Sequence, residues 1–135
     1  MNTNRRVWSL VAALILTIAA CASATGVPSP PPGTGLAISA LAGPTCPVET
    51  IPPDPACAPR PVAGAKVVIL DAQDREAAVV VLDAKGSAAV TLAAGKYVIK
   101  AQPAAGLMGT PEAMDAAVVD GKLTPVALSY DTGIR

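Results

Sequence analysis

Histidine is absent from this chain of 135 residues, phenylalanine is absent too, and aromatics amount to 2%. Without an imidazole there is no histidine general acid or base and no histidine-ligated metal. A Ser–His triad is excluded by the same absence. No serine sits in a Gly-x-Ser-x-Gly elbow either. The aromatics are Trp8, Tyr97 and Tyr130, which leaves almost nothing for a sugar-stacking platform. Excess charge of either sign is lacking as well: ten basic residues balance ten acidic ones, and no basic run follows Arg5–Arg6. That balance argues against nucleic acid as a partner. What remains plentiful is Ala, Val, Ile and Leu, so any core is assembled from small aliphatic side chains.

The longest apolar run is Val7 to Ala20, preceded by the short positive stretch Met1–Arg6. A helical membrane crossing needs about 20 residues, so the run is too short to span and fits a secretory signal. Its exit, Ile18-Ala19-Ala20-Cys21, resembles the lipobox of bacterial lipoproteins. That resemblance implies cleavage before Cys21, a diacylglycerol on its sulfur, and acylation of the new amine. On that reading residues 1–20 are the signal, and 21–35 form the lipidated cysteine plus a tether. Pro28 and Pro30–Pro32 among Ala, Ser, Thr and Gly keep that tether extended. The resulting partner is the membrane itself, with the protein held on its extracytoplasmic face. The competing reading is ordinary cleavage after Ala22-Ser23-Ala24.

Three cysteines are an odd count for an exported chain. Acylating Cys21 leaves Cys46 and Cys57, and an oxidising compartment favours their pairing as a structural disulfide. A redox pair or a metal site at these two positions would need closer spacing or further ligands, which the neighbourhood lacks.

From Leu36 onward, apolar alternation and turn residues recur at short intervals. Strands are predicted at 36–41, 65–71, 77–83, 87–92, 96–102, 116–119 and 123–130. The stretch Pro61–Ala101 reads as four consecutive antiparallel strands with breaks at Asp71–Asp74, Asp83–Gly86 and Ala94–Gly95. Apolar residues on both faces of 65–71 place that strand centrally. Tyr97, Ile99 and Ala101 are expected to face inward, leaving Tyr130 exposed for stacking. Asp120-Gly121 reads as a two-residue hairpin. The fold class is all-β, a seven-stranded antiparallel sandwich spanning residues 36–135.

The series Pro61-Val62-x-Gly64-Ala65-x-Val67-x-Ile69-x-Asp71, Asp83-x-x-Gly86-x-x-x-Val90-x-Leu92 and Gly95-x-Tyr97-x-Ile99-x-Ala101 resembles the transthyretin-like superfamily. That superfamily includes the carboxypeptidase regulatory-like domain and the B-type repeats of collagen-binding adhesins. The resemblance implies a non-catalytic stalk, adhesion or binding module with an envelope protein or glycan as partner, and no cofactor. Adhesin repeats often carry a Lys–Asn or Lys–Asp isopeptide bond promoted by a core Glu. Here the Glu position is Ala101, Lys66 sits too early, and no Asn follows Asn4, so Cys46–Cys57 takes the place of that staple.

Few residues invite chemistry. Asp71, Asp74 and Glu76 cluster in one turn but lack the alternating spacing of a calcium loop. Asp115, Asp120 and Asp131 are isolated. Ser87 and Ser129 have no partner singled out by spacing. No catalytic residue and no metal ligand is therefore assigned. The chain reads as a non-enzymatic, membrane-anchored lipoprotein with a structural or binding role. The alternative is a lipoprotein that captures a small solute or a carbohydrate. For Asp131–Arg135 the expectation is a solvated tail, against a docked one in which Asp131 pairs with Arg135 or Arg60.

Overall fold

A computed structural model describes residues 29–135; the signal segment and Cys21 lie outside the described residues. Eight strands form two stacked sheets: β1 (Gly35–Gly43), β2 (Arg60–Pro61), β3 (Lys66–Leu70), β4 (Glu76–Val81), β5 (Ser87–Thr91), β6 (Gly95–Ala101), β7 (Met114–Val118) and β8 (Leu123–Asp131). The only helical turn among the described residues is a three-residue 3₁₀ turn, Pro55–Cys57. No helix there is long and apolar enough to cross a membrane.

Alternation builds the strands. In β1, Leu36, Ile38, Ala40 and Ala42 are buried while Ser39 and Leu41 face out. In β8, Val126, Leu128 and Tyr130 do the same. These residues meet Val67, Ile69, Ile99, Ala101 and Val118 from the opposite sheet in one core. β3 is central, flanked by β4 and β6, with β7 beyond β6. That is the position its two apolar faces indicate.

Three features depart from the sequence reading. The sandwich has eight strands, because Arg60–Pro61 pairs with Leu41–Ala42 as an extra edge segment. β1 and β8 pair in parallel along their whole length, from Gly35↔Leu123 to Gly43↔Asp131. And Pro61–Ala101 is not one continuous meander. β3 and β4 form a true antiparallel pair, but β5 crosses to pair with β1 and β6 returns to β3. The Asp83–Gly86 turn therefore bridges the two sheets. So does Asp120-Gly121, since β7 pairs with β6 and β8 with β1. A turn closes equally well over a hairpin or over the edge of a sandwich, and its residues are the same in both.

The tether boundary also shifts by one residue. Gly35 belongs to β1 and is buried, with φ +154° and a hypothetical Cβ only 1.9 Å from the Val90 carbonyl oxygen. A side chain there must separate β1 from β5. Gly35→Ala is expected to cost about 1–3 kcal/mol, as overpacking in a rigid interior does. Thermal unfolding of that variant against Gly33→Ala, which carries the backbone strain of φ +77° but meets nothing within 4 Å, isolates the cost of the clash.

Candidate functional site

β1 positions everything of functional interest. At about 3.3 Å per residue its nine residues span roughly 26 Å. The chain enters from the tether at Gly35. There Thr34, the one buried polar residue among the described residues, accepts a hydrogen bond from the Gly121 N–H at 2.7 Å. The far end, at Gly43, gathers three segments. They are the loop 44–59, the loop 102–113 and the residues after β8. Tether and loop cluster thus sit at opposite ends of the sandwich.

The loop 44–59 is rich in proline and closed on itself. A disulfide joins Cys46 to Cys57 with a Cα separation of 5.3 Å. The Thr45 hydroxyl donates to the Cys57 carbonyl, and Asp54 caps the 3₁₀ turn by accepting from the Ala56 N–H at 2.9 Å. Constrained in this way, the loop presents Ile51 at 99% exposure and Val48 at 70%. Between Glu49, Thr50, Pro53, Asp54, Pro55 and Cys57 lies a shallow cavity of about 360 Å³. Met108, 82% exposed, stands on the neighbouring loop. These exposed apolar side chains all lie at the end of the sandwich opposite the tether.

The segment after β8 is docked rather than solvated. Asp131 forms an ion pair with Arg135 at 2.8 Å, and Arg60 is not its partner. The Asp131 backbone pairs with Gly109, its carboxylate accepts from the Gly133 N–H at 2.8 Å, and the Thr132 hydroxyl donates to the Pro44 carbonyl. The Arg135 guanidinium and the Gly133 N–H hold the Asp131 carboxyl down at about 2, from an ordinary 3.8. The folded group binds its proton less tightly than the unfolded one. Its contribution is therefore complete above the ordinary value and disappears as pH falls through about 2. Two results are expected. Proton titration followed by NMR should find Asp131 near 2, returning toward 3.8 in Arg135→Gln. Deleting Asp131–Arg135 should lower the melting temperature by several degrees, through loss of the Gly109, Gly43 and Pro44 hydrogen bonds.

The other candidate residues are not brought together. Asp71 closes its own turn, accepting from the Gln73 N–H at 2.8 Å, the Arg75 N–H at 3.0 Å and the Arg75 guanidinium at 3.0 Å. Burial alone would raise its pKa, but those hydrogen bonds outweigh it and hold the carboxyl below its ordinary value. Among the described residues no three acids or cysteines could hold a metal ion. Asp115 lies on the outer face of β7, Asp120 in the turn at the tether end. Every side-chain hydroxyl that donates a hydrogen bond there donates to a backbone carbonyl, as Ser39 does to Val126 and Thr124 to Ala117. None of them is aligned with a base.

The two tyrosines exchange the roles assigned from sequence. Tyr130 is 1% exposed, and its hydroxyl donates to the Gln102 carbonyl at 2.9 Å. Burial pushes that hydroxyl above its ordinary pKa of 10.0. Tyr97 is half-buried against the core's edge and donates to the Ala93 carbonyl at 2.9 Å. Lys66 is exposed on the outer face while Ala101 is buried, so the lysine and the position of the promoting acid lie on opposite faces. The disulfide loop was legible from its prolines and cysteines. Its exposed Ile51 and Val48 were not, since apolar residues in sequence read as core.

No protein-family model matches the chain, and no curated protein does. Solved structures do. GBS52, the minor pilin in the gram-positive pathogen Streptococcus agalactiae, is similar with a TM-score of 0.56 at 16% identity, over 73% of this chain and 44% of that one. The Bacillus anthracis TIE protein is similar with a TM-score of 0.53 at 20% identity, over 73% of this chain and 17% of that one. The chain thus spans less than half of either neighbour. At these identities the likeness shows the fold. That fold is a β-sandwich, shared with the minor pilin and the TIE protein.

Proposed function

We propose that the chain is an exported lipoprotein, acylated on Cys21, whose transthyretin-like, carboxypeptidase regulatory-like sandwich presents the Cys46–Cys57 loop away from the membrane to an envelope protein or glycan. The observation that carries this reading is the placement of the loop cluster at the end of β1 opposite the tether. A module anchored at Gly35 and offering Ile51, Val48 and Met108 some 26 Å away (roughly, at the rise of a β-strand) is built for contact rather than for turnover. The fold shared with a minor pilin and the TIE protein fits a non-catalytic structural or binding role. Two or more acyl chains would make the attachment stable, where one gives only marginal binding.

The intact mass of protein extracted from membranes, with and without reductant, tests the anchor. A mass for Cys21–Arg135 plus acyl chains, rising by two hydrogens on reduction, supports it. An unacylated chain beginning at Thr25 in the medium overturns it. For the presentation role, Ile51→Asp is expected to abolish crosslinks to envelope partners without moving the melting temperature, because Ile51 is fully exposed. The shallow cavity beside Asp54 favours a second reading, capture of a small solute or sugar. A rise in melting temperature on adding that solute would select it over the first.

A further inference from the structure

Among the described residues, two of the three arginines are committed to carboxylates. Arg75 sits on Asp71 and Arg135 on Asp131, each at 2.8 Å. Arg135 and the Gly133 N–H together occupy both oxygens of Asp131. Arg60 is exposed and, among the described residues, pairs with no acid. Its backbone is fixed opposite Ala42 in β2. That places its side chain on a cavity of about 350 Å³, distinct from the one beside Asp54, where the three segments of the loop cluster converge. Ala42, Thr45, Leu107, Thr132 and Ile134 complete the wall, and no acidic residue lines it.

The two hydroxyls in that wall are oriented by the protein itself. Thr45 donates to the Cys57 and Ala58 carbonyls. Thr132 donates to the Pro44 carbonyl and accepts from the Ile134 N–H at 3.3 Å. A hydroxyl has one proton and two lone pairs, so both oxygens are left only as acceptors. The cavity thus offers one cation, two acceptor oxygens and the aliphatic side chains of Leu107 and Ile134. A guanidinium fork matches a carboxylate or a phosphate. Phosphate, however, meets no second cation here and brings no hydroxyl protons for the two threonines. A carboxylate on a polyhydroxylated ring satisfies every group: its charge faces Arg60, its hydroxyls donate to Thr45 and Thr132, and its C–H faces meet Leu107 and Ile134. The volume lies at the low end of the range for small-molecule sites, about 300–1,000 Å³, which suits one sugar ring rather than a chain.

We propose that this cavity binds a uronic acid-type sugar through Arg60, so that the glycan taken by the loop cluster is an acidic one. The assignment rests on the reading of that cluster as the presenting end of the domain, and names the class of glycan presented to it. It also gives a chain with 2% aromatics a means of holding sugar, with charge and hydroxyl pairing in place of stacking. The disulfide loop supplies Thr45 and the segment after β8 supplies Thr132. The contacts that dock that segment therefore also build the site.

The test is a titration of full-length protein in detergent with D-glucuronate, followed by amide NMR. Binding is expected with a Kd on the order of 1 mM, the strength a ligand of this size supports. The shifts should centre on Arg60, Leu107 and Thr132. Glucose lacks the carboxylate and acetate lacks the ring hydroxyls, and each should bind at least about tenfold more weakly. Arg60→Gln should weaken glucuronate at least about tenfold without moving the melting temperature, since Arg60 is exposed. Arg60→Lys, which keeps the charge but not the fork, should fall between the two. Shifts confined to Glu49–Cys57 would put the sugar beside Asp54 and overturn the proposal. So would the absence of shifts up to roughly 20 mM, glucose or acetate binding as well as glucuronate, or Arg60→Gln binding as well as wild type. None of these results alters the crosslinks that Ile51→Asp is expected to abolish, so the contact role stands or falls separately.

Discussion

Replacing Tyr130 by alanine is expected to cost about 3–5 kcal/mol, the range for deleting a large buried aromatic. Domains of this size are stable by about 5–15 kcal/mol in total, so much of the margin disappears. The ring is the largest fully buried side chain, at 1% exposure, set where β8 meets the loop that follows β6. Its removal opens a cavity among aliphatic neighbours too short to fill it. Tyr130→Phe keeps the ring but leaves the Gln102 carbonyl without its donor at 2.9 Å, for an expected loss of about 1 kcal/mol. Tyr97→Ala serves as the contrast. Tyr97 is only half-buried, and its loss should cost about 1 kcal/mol. Chemical denaturation of the three variants gives the ranking; a Tyr97 effect as large as that of Tyr130 would contradict the burial described above.

Breaking the Cys46–Cys57 bridge is the second large effect. The bond closes a loop with a sequence separation of 11, and on the loop-entropy account that closure contributes about 3 kcal/mol. The double replacement Cys46→Ser with Cys57→Ser should therefore lower the melting temperature by roughly 12–24 °C, given 4–8 °C per kcal/mol in a domain of this length. Reductant acting on the wild-type chain should reproduce the shift and leave the double variant unmoved. The consequence reaches beyond stability. With the loop opened, Ile51 and Val48 are no longer held in place, and any partner that needs them should bind more weakly even well below the melting temperature. An unchanged melting temperature on full reduction would mean that the core alone carries the domain.

Much of this protein was written along the chain. The strand positions follow from alternation at Leu36–Ala42, Val67–Ile69 and Val126–Tyr130, because a strand buries every second residue wherever it ends up. The central place of β3 follows from apolar residues on both its faces, and the disulfide loop from its prolines and paired cysteines. These are local facts, settled by residue types a few positions apart. Tertiary structure decided what depends on distant partners. Nothing between Asp83 and Gly86 distinguishes a hairpin from a crossing between sheets, because the Asp83 carboxylate caps the turn N–H groups of Lys85 and Ser87 the same way in both. The parallel pairing of β1 with β8 joins residues 88 apart in sequence, with no signal in either strand. The exchange between Tyr97 and Tyr130 has the same origin. Both tyrosines alternate inward, and only the position of each along its strand, at the sandwich's rim or beneath a covering loop, determined which one lost its water.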